Sequence, residues 1–468
     1  MVDRVAEVVL LVACFALYAW WACNLPQTMA PDEQMRYLVP TFIYENGCLP
    51  LGDDPAIRSE LWGTSYGFSV YGSSLLAALF MSGAGLFGAT GQSLLIAARF
   101  TSVLFSVGSV FLCLRIGARL FPRVVTAKFM LALFVGLLPQ FVFISSYFNS
   151  DAMEVFCVAL VVYCWLRGGQ SHWRWGDCVF LGFALGLTAL SYYYAYGAIL
   201  ASIFVYYVGM HVARKKDGAK ADSAVVSYVG KPLLIFLVAF AIAGWFFVRN
   251  ALLYNGDFIG MSTSSATSEL YGLDYLKPSS HLMPRIEGFT VIDMLVSDYN
   301  NMNWTVMTAK SFVGIFGYMN IMLGMTTYKV YFAILGIGVI AALLCLVFKM
   351  RGFSSQQKTF VIGLIALIVI PCVLSIYYSW ASDYQPQGRY LFAALVPIMI
   401  AIVAGYLWIA SLFTSRRPKR DKQIAQARPA CVNVAQIVLP CALMAVWLFL
   451  FVWVFATRIV IECIGPVL

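Results

Sequence analysis

Uncharged apolar runs close to 20 residues long recur along this chain, beginning with Val8–Leu25. A helix of that length crosses the roughly 30 Å hydrocarbon core of a bilayer. Inside lipid every backbone N–H and C=O must find a partner, which helices supply within the segment. Charged residues make up 11% of the 468 and hydrophobic ones 61%, against about 25% charged in a soluble domain. One large soluble core is thereby excluded. Val8–Leu25 is too long, and too short of basic residues before it, for a typical cleaved signal peptide, so it is expected to be a permanent span.

The expected spans are 8–25, 94–114, 125–147, 151–167, 177–191, 193–211, 232–253, 330–348, 359–380, 388–411 and 432–457. The fold predicted is an all-α integral membrane protein of about 11 transmembrane helices. It forms a single polytopic membrane domain over 1–468, with two long outer loops, 26–93 and 254–329, that contain interfacial helices. Charge sets the count. With Tyr66–Thr90 left outside the membrane, one face carries 21 Lys and Arg against 6 Asp and Glu, and the other 10 against 16. The positive-inside rule then puts the N-terminus in the cytoplasm, with the C-terminus and the two long loops outside a plasma membrane. Tyr66–Thr90, rich in glycine, is expected to lie in or dip into the outer interface, and Ser311–Met325 is too short to span. The basic run at 416–420 belongs to a cytoplasmic loop and does not signal nucleic acid. Most of the twelve cysteines, such as Cys14, Cys113 and Cys157, lie inside apolar runs and act as small hydrophobes. No CxxC pair or Cys/His zinc spacing appears.

Asp32-Glu33 follows the first span by a few residues. Two adjacent carboxylates there are poorly placed for packing and well placed for chemistry at the bilayer surface. Asp151, in Asn149-Ser150-Asp151, lies at a second outer turn. It reads either as a cap of the following helix or as a cap that also reaches an active site. Three cations face the same side: Arg249, Lys310 and Arg389. Arginine holds phosphate bidentately, while interfacial snorkelling is the alternative for each. Tyr66, Tyr71 and the Tyr192–Tyr196 cluster either anchor the protein at the interface or stack on sugars. Gly182 and Gly186 form a GxxxG that packs helices within or between chains.

Taken in order, these motifs resemble a known superfamily. Pro31-Asp32-Glu33 is followed by a Tyr/Leu-rich interfacial segment, Pro139, and Asn149-Ser150-Asp151-Ala152. Then come Gly244-Trp245, Arg249-Asn250, Tyr254-Asn255-Gly256-Asp257, Ser311-Phe312-Val313-Gly314-Ile315-Phe316-Gly317 and Gln387-Gly388-Arg389-Tyr390-Leu391. From about residue 8 to 411 the chain looks like a GT-C membrane glycosyltransferase, closest to a largely uncharacterised bacterial group of predicted membrane proteins. The resemblance implies inverting transfer of a sugar from a polyprenyl-phosphate-linked donor to a glycan, lipid or protein acceptor on the outer face. The family's first-loop acidic pair falls on Asp32 and Glu33, and its second acidic position on Asp151. Met35-Arg36-Tyr37 stands where many relatives have a His-containing stretch, which weakens the case for a metal; no particular cofactor is implied, and a divalent metal ion is left open.

In the mechanism expected, Asp32 is the base, Glu33 its partner or an acceptor-orienting group, and Asp151 a third acidic contact. Arg389 is the first choice for the donor phosphate, followed by Arg249 and Lys310. Arg36, Tyr66, Tyr193, Gln387 and Tyr390 complete the expected substrate contacts. A polytopic transporter or lipid flippase, or a non-catalytic scaffold, is the alternative. No internal repeat of the transporter kind is visible.

Overall fold

The computed structural model describes residues 2–218, 222–413 and 434–464. The basic run at 416–420 and the first two residues of the 432–457 span lie outside them. The chain opens with α1 (Val2–Asn24), then α2 (Glu33–Asn46) and α3 (Gly72–Gly85) within the first long loop. There follow α4 (Gln92–Leu120), α5 (Val125–Gly136), α6 (Pro139–Ile144), α7 (Asp151–Ser171), α8 (Trp175–Ala189), α9 (Tyr196–Asp217) and α10 (Lys231–Leu253). The second long loop holds α11 (Met261–Tyr271), α12 (Val291–Val296), α13 (Trp304–Gly314) and a hairpin of β1 (Ile315–Phe316) with β2 (Ile321–Met322). The chain then runs through α14 (Met325–Lys349), α15 (Ser355–Ala381), α16 (Leu395–Leu412) and α17 (Ala435–Val454).

Among the described residues, nine helices are long and apolar enough to cross a membrane. The other two expected spans are built differently. Residues 125–147 form two pieces, α5 and α6, broken at Leu137-Leu138. Pro139 causes the break. It has no N–H to continue the ladder, and its ring pushes Leu138 into extended backbone, φ −68° and ψ 123°. Helix α8 has 15 residues, about 22 Å at 1.5 Å each, and ends short of the tyrosine turn. The Tyr66–Thr90 segment contains α3, 14 residues long, too short to cross at that rise.

Helix α7 is the axis of the bundle. Of its most apolar window 83% is buried, against 22% for α1 and 28% for α10. It packs on α4, α8, α9 and the turn before α16. Glycines let α8 and α10 approach closely. A Cβ at Gly182 would meet the Ile235 carbonyl at 2.7 Å, and one at Gly186 would meet Ile242 at 2.8 Å. The GxxxG therefore packs α8 on α10 within one chain, as small residues permit in lipid.

Candidate functional site

The acidic pair comes apart as soon as its backbone is traced. Asp32 is left-handed, φ 61° and ψ −3°, at the start of α2. Aspartate tolerates that conformation better than most residues, and such strain persists where surrounding structure holds it. The kink sends the two carboxylates to different partners.

Glu33 is fully buried and fully used. Arg99 of α4 grips it with Nε to Oε1 at 2.9 Å and Nη2 to Oε2 at 2.5 Å. The Phe148 N–H adds a third bond, 2.6 Å to Oε1. The same arginine donates to the Ala22 and Leu25 carbonyls, at 2.8 and 2.7 Å, which the end of α1 leaves without helical partners. The expected partnership of Glu33 with Asp32 on substrate has no contact in this geometry. Arg99 carries no motif signal; its mark in the sequence is a lone guanidinium inside an apolar run, which in a membrane needs a named partner.

Asp32 stays at a polar surface, its side chain 30% exposed. Its Oδ2 accepts from Arg389 Nη2 at 2.9 Å, while Oδ1 keeps no protein partner among the described residues. Burial pushes its carboxyl up, but the charges of Arg389 and Arg36 and the Arg389 hydrogen bond outweigh burial and hold it below the usual carboxylate range. Arg389 is brought there by close packing. A Cβ at Gly388 would meet the Phe312 backbone nitrogen at 2.2 Å, and the Gly388 N–H donates to Ser311 Oγ at 2.6 Å. Gly388–Ala394, a tight helical turn, thus lies flat on α13.

Asp151 opens α7 but does not cap it. That task falls to Asn149, whose Oδ1 accepts from the Ala152 N–H at 3.0 Å while Nδ2 binds the Ile144 and Tyr147 carbonyls at 2.5 and 2.7 Å. Asp151 is 2% exposed and its Oδ2 has no partner among the described residues. One turn on, Glu154 is fully buried, with neither oxygen bonded among the described residues, a carboxyl that no motif points to. Arg36 lies in the field of both Asp151 and Asp32. Its Nη1 donates to Ser150 Oγ at 2.9 Å, and its guanidinium carbon sits 4.2 Å from the centre of the Tyr66 ring and 5.7 Å from that of Tyr192. Tyr390 stacks on Tyr194 with ring centres 5.2 Å apart.

Asp32, Asp151, Arg36, Tyr66, Arg389 and Tyr390 therefore share one end of the bundle. Gln387 is half-buried just before the Arg389 turn. Three expected residues turn to other partners. Arg249 donates to the Pro50 carbonyl at 2.7 Å beside Tyr71, Lys310 lies over Tyr328, and the Tyr193 hydroxyl binds the Ile259 carbonyl at 2.8 Å. The second long loop reaches the site by another route. Arg389 contacts Tyr390, Tyr390 bonds Gln385, Gln385 bonds Asp383, and Asp383 faces His281 at 3.9 Å. Among the described residues no three His, Cys, Asp or Glu gather as a metal cluster. At this end of the bundle Asp32, Asp151 and Glu154 each keep an oxygen without a hydrogen bond among the described residues.

A family model described as predicted membrane protein (DUF2142) matches residues 75–399. The chain belongs to this family. The matched range takes in Asp151 and Arg389 and begins beyond Asp32. Among solved structures, the chain is similar to the oligosaccharyltransferase AglB from Archaeoglobus fulgidus in complex with an inhibitory peptide and a dolichol-phosphate. The TM-score is 0.56 at 13% identity, covering 96% of this chain and 55% of that one. The apo form of the Archaeoglobus fulgidus oligosaccharyltransferase gives 0.55 at 14%, with the same coverage. ArnT from Cupriavidus metallidurans bound to undecaprenyl phosphate gives 0.48 at 16%, covering 85% of this chain and 60% of that one. No curated protein matches the sequence. This DUF2142 chain thus has a helical membrane fold like that of the archaeal oligosaccharyltransferase and spans 55% of that enzyme's length.

Proposed function

We propose that the chain is an inverting membrane glycosyltransferase. It would move a sugar from a polyprenyl-phosphate donor to a hydroxyl or amide acceptor at the face of the membrane opposite its N-terminus. The observation that carries the reading is the Asp32–Arg389 pair at 2.9 Å, set beside Arg36 and the unpartnered Asp151. It is a carboxylate with one free oxygen next to two buried guanidiniums. The likeness to an archaeal oligosaccharyltransferase seen with dolichol-phosphate supports the donor class.

In the transfer step the acceptor's O–H or N–H proton goes to Asp32 Oδ1. The acceptor atom bonds the anomeric carbon from one face, while the carbon–oxygen bond to phosphate breaks on the other and the phosphate leaves with the electron pair. A phosphate is a good leaving group, so no general acid is needed. Negative charge grows on it in the transition state, and fixed arginines stabilise that charge without reorganising. Arg389 serves both ends. As charge develops on the phosphate its hold on Asp32 loosens, and the carboxylate becomes a stronger base when the proton arrives. Glu33 is then a positioning residue, fixing the start of α2 through Arg99. Asp151 faces the sugar or the acceptor.

Replacing Asp32 by Asn keeps a residue tolerant of the left-handed backbone and removes the base. Membranes carrying D32N should insert the chain normally and lose sugar transfer from prenyl-phosphate-linked donors by about a factor of 10^3, the scale of general-base catalysis. Wild-type rates in D32N would end the assignment.

A further inference from the structure

A cavity of about 480 Å³ lies toward the opposite end of the bundle from the acidic site. Its rim at Gln170 is about 28 Å along α7 from Asp151. Pockets that hold small ligands run from about 300 to 1,000 Å³. Helices α14 and α15 follow one another in the chain, but α14 packs mainly on α16 and α15 mainly on α9, so the two part. Small residues, Gly209, Ala342, Ala401 and Ala404, widen the space behind the gap. Ile365 lines the cavity and is still 41% exposed, so the opening faces the hydrocarbon beside α15.

The lining says what would fill it. Along α15 it runs from Gln356 to Ile368, about 18 Å at 1.5 Å per residue, close to the depth of one leaflet of a ~30 Å core. Arg119, Gln170 and Gln356 form a polar rim, and Leu364, Ile368 and Ile400 lie deeper. The pairing of Arg115 with Glu7 puts this rim at the end of the bundle that carries the N-terminus. Arg119 is the one charged group among the described residues that line the cavity. Its neighbours have acids, Arg115 with Glu7 and Arg167 with Asp177. Arg119 has neutral partners, Gln170 and, at 3.3 Å, the Tyr163 hydroxyl. The Trp173 indole, 1% exposed, adds an N–H with no acceptor among the described residues. A Cβ at Gly209 would stand 3.1 Å from that nitrogen, so the donor lies on the wall where a side chain is missing. A cation at the rim, an unused donor on the wall and an apolar depth of one leaflet complement the phosphate, ester carbonyl and acyl chain of an anionic glycerophospholipid.

We propose that this cavity seats an acyl chain of an anionic glycerophospholipid from the leaflet on the N-terminal side, with its phosphate at Arg119. The lipid fills the wedge between α14 and α15 that the protein's own side chains leave open. Helix α15 runs from this cavity to Ala381, shortly before the turn that carries Arg389, so the wedge steadies the far end of that helix. The site is separate from the Asp32–Arg389 end and does not rest on the transfer reading.

The test titrates the full chain, purified in detergent, with phosphatidylglycerol and phosphatidylcholine whose brominated acyl chains quench tryptophan on contact. Trp165 and Trp173 line the cavity and report its filling. Quenching should saturate, with phosphatidylglycerol bound about fivefold tighter than phosphatidylcholine, the attraction of one cation for an anionic headgroup. R119Q should bring the two lipids to equal affinity and leave phosphatidylcholine unchanged, which also shows that the variant is folded. A404F should fill the wedge and abolish the saturable phase for both lipids. Native mass spectrometry should find one phosphatidylglycerol retained per wild-type chain. A fivefold preference that survives in R119Q removes the headgroup from Arg119, and wild-type binding in A404F removes the lipid from the cavity; either result overturns the proposal. Glycerol 3-phosphate displacing the brominated lipid at equal concentration would overturn it in favour of a soluble phosphate. A dimer that retains no lipid would give the wedge to a second copy of the chain.

Discussion

Asp32 and Glu33 are neighbours in the chain, and each meets an arginine, yet the two pairs have opposite characters. Glu33–Arg99 has 0% exposure on both sides, and both Glu33 oxygens are bonded. Asp32–Arg389 is 30% and 12% exposed and keeps one carboxylate oxygen open. The first pair ties together the end of α1, the start of α2, α4 and the turn before α7. Breaking it leaves an uncompensated charge in the core. Among the described residues, the second leaves one carboxylate oxygen open to a further partner. What separates the anchor from the proposed base in this pair is how completely each carboxylate is satisfied.

The largest test of that contrast is catalytic. D32N should lose about 10^3 of the rate with a thermal midpoint lowered less than that of E33Q, which should fall mainly in stability. Equal loss of rate at unchanged midpoint in both variants would erase the distinction. Next, R99M should cost about 3–5 kcal/mol of folding free energy, because it strands Glu33 without its ion partner. Denaturant titration of the detergent-solubilised chain measures this, and a loss under about 1 kcal/mol would mean that the hub is ornamental.

A pH profile sharpens the other half. Asp32's folded pKa lies below its unfolded value, so its stabilising contribution is complete above the ordinary carboxylate range and is lost as pH falls through the lowered value. R389Q removes the main opposing charge and leaves the burial, so the acid limb of kcat/KM should move upward. An unmoved limb would detach Arg389 from the base. The smallest effect is expected at N149A, where the cap of α7 is lost at about 1 kcal/mol. If D151N instead showed the loss of stability and N149A none, the capping role would pass from Asn149 to Asp151.

Much of the fold could be read from the sequence because hydropathy and length are local properties. The spans at 94–114, 151–167 and 359–380 fall within α4, α7 and α15. The 125–147 run departs from its expected single helix for a local reason as well: Pro139 sits near its centre, and apolar content masks the missing N–H. The site was legible in part. Asp32, Asp151 and Arg389 announced themselves as charges next to apolar runs. Arg99 and Glu154 did not, since each lies within such a run.

By itself the sequence determined that this chain is a membrane bundle and that its acidic groups cluster at the ends of particular spans. Hydrophobic runs of bilayer length leave no other fold. Only the tertiary structure decided which carboxylate is fully bonded and which keeps an open oxygen among the described residues. Arg99 stands 66 residues from Glu33, and Arg389 stands 357 from Asp32. Separations of that size are closed by helix packing and by one left-handed residue at position 32, and no local pattern along the chain encodes the rotation of one helix against another.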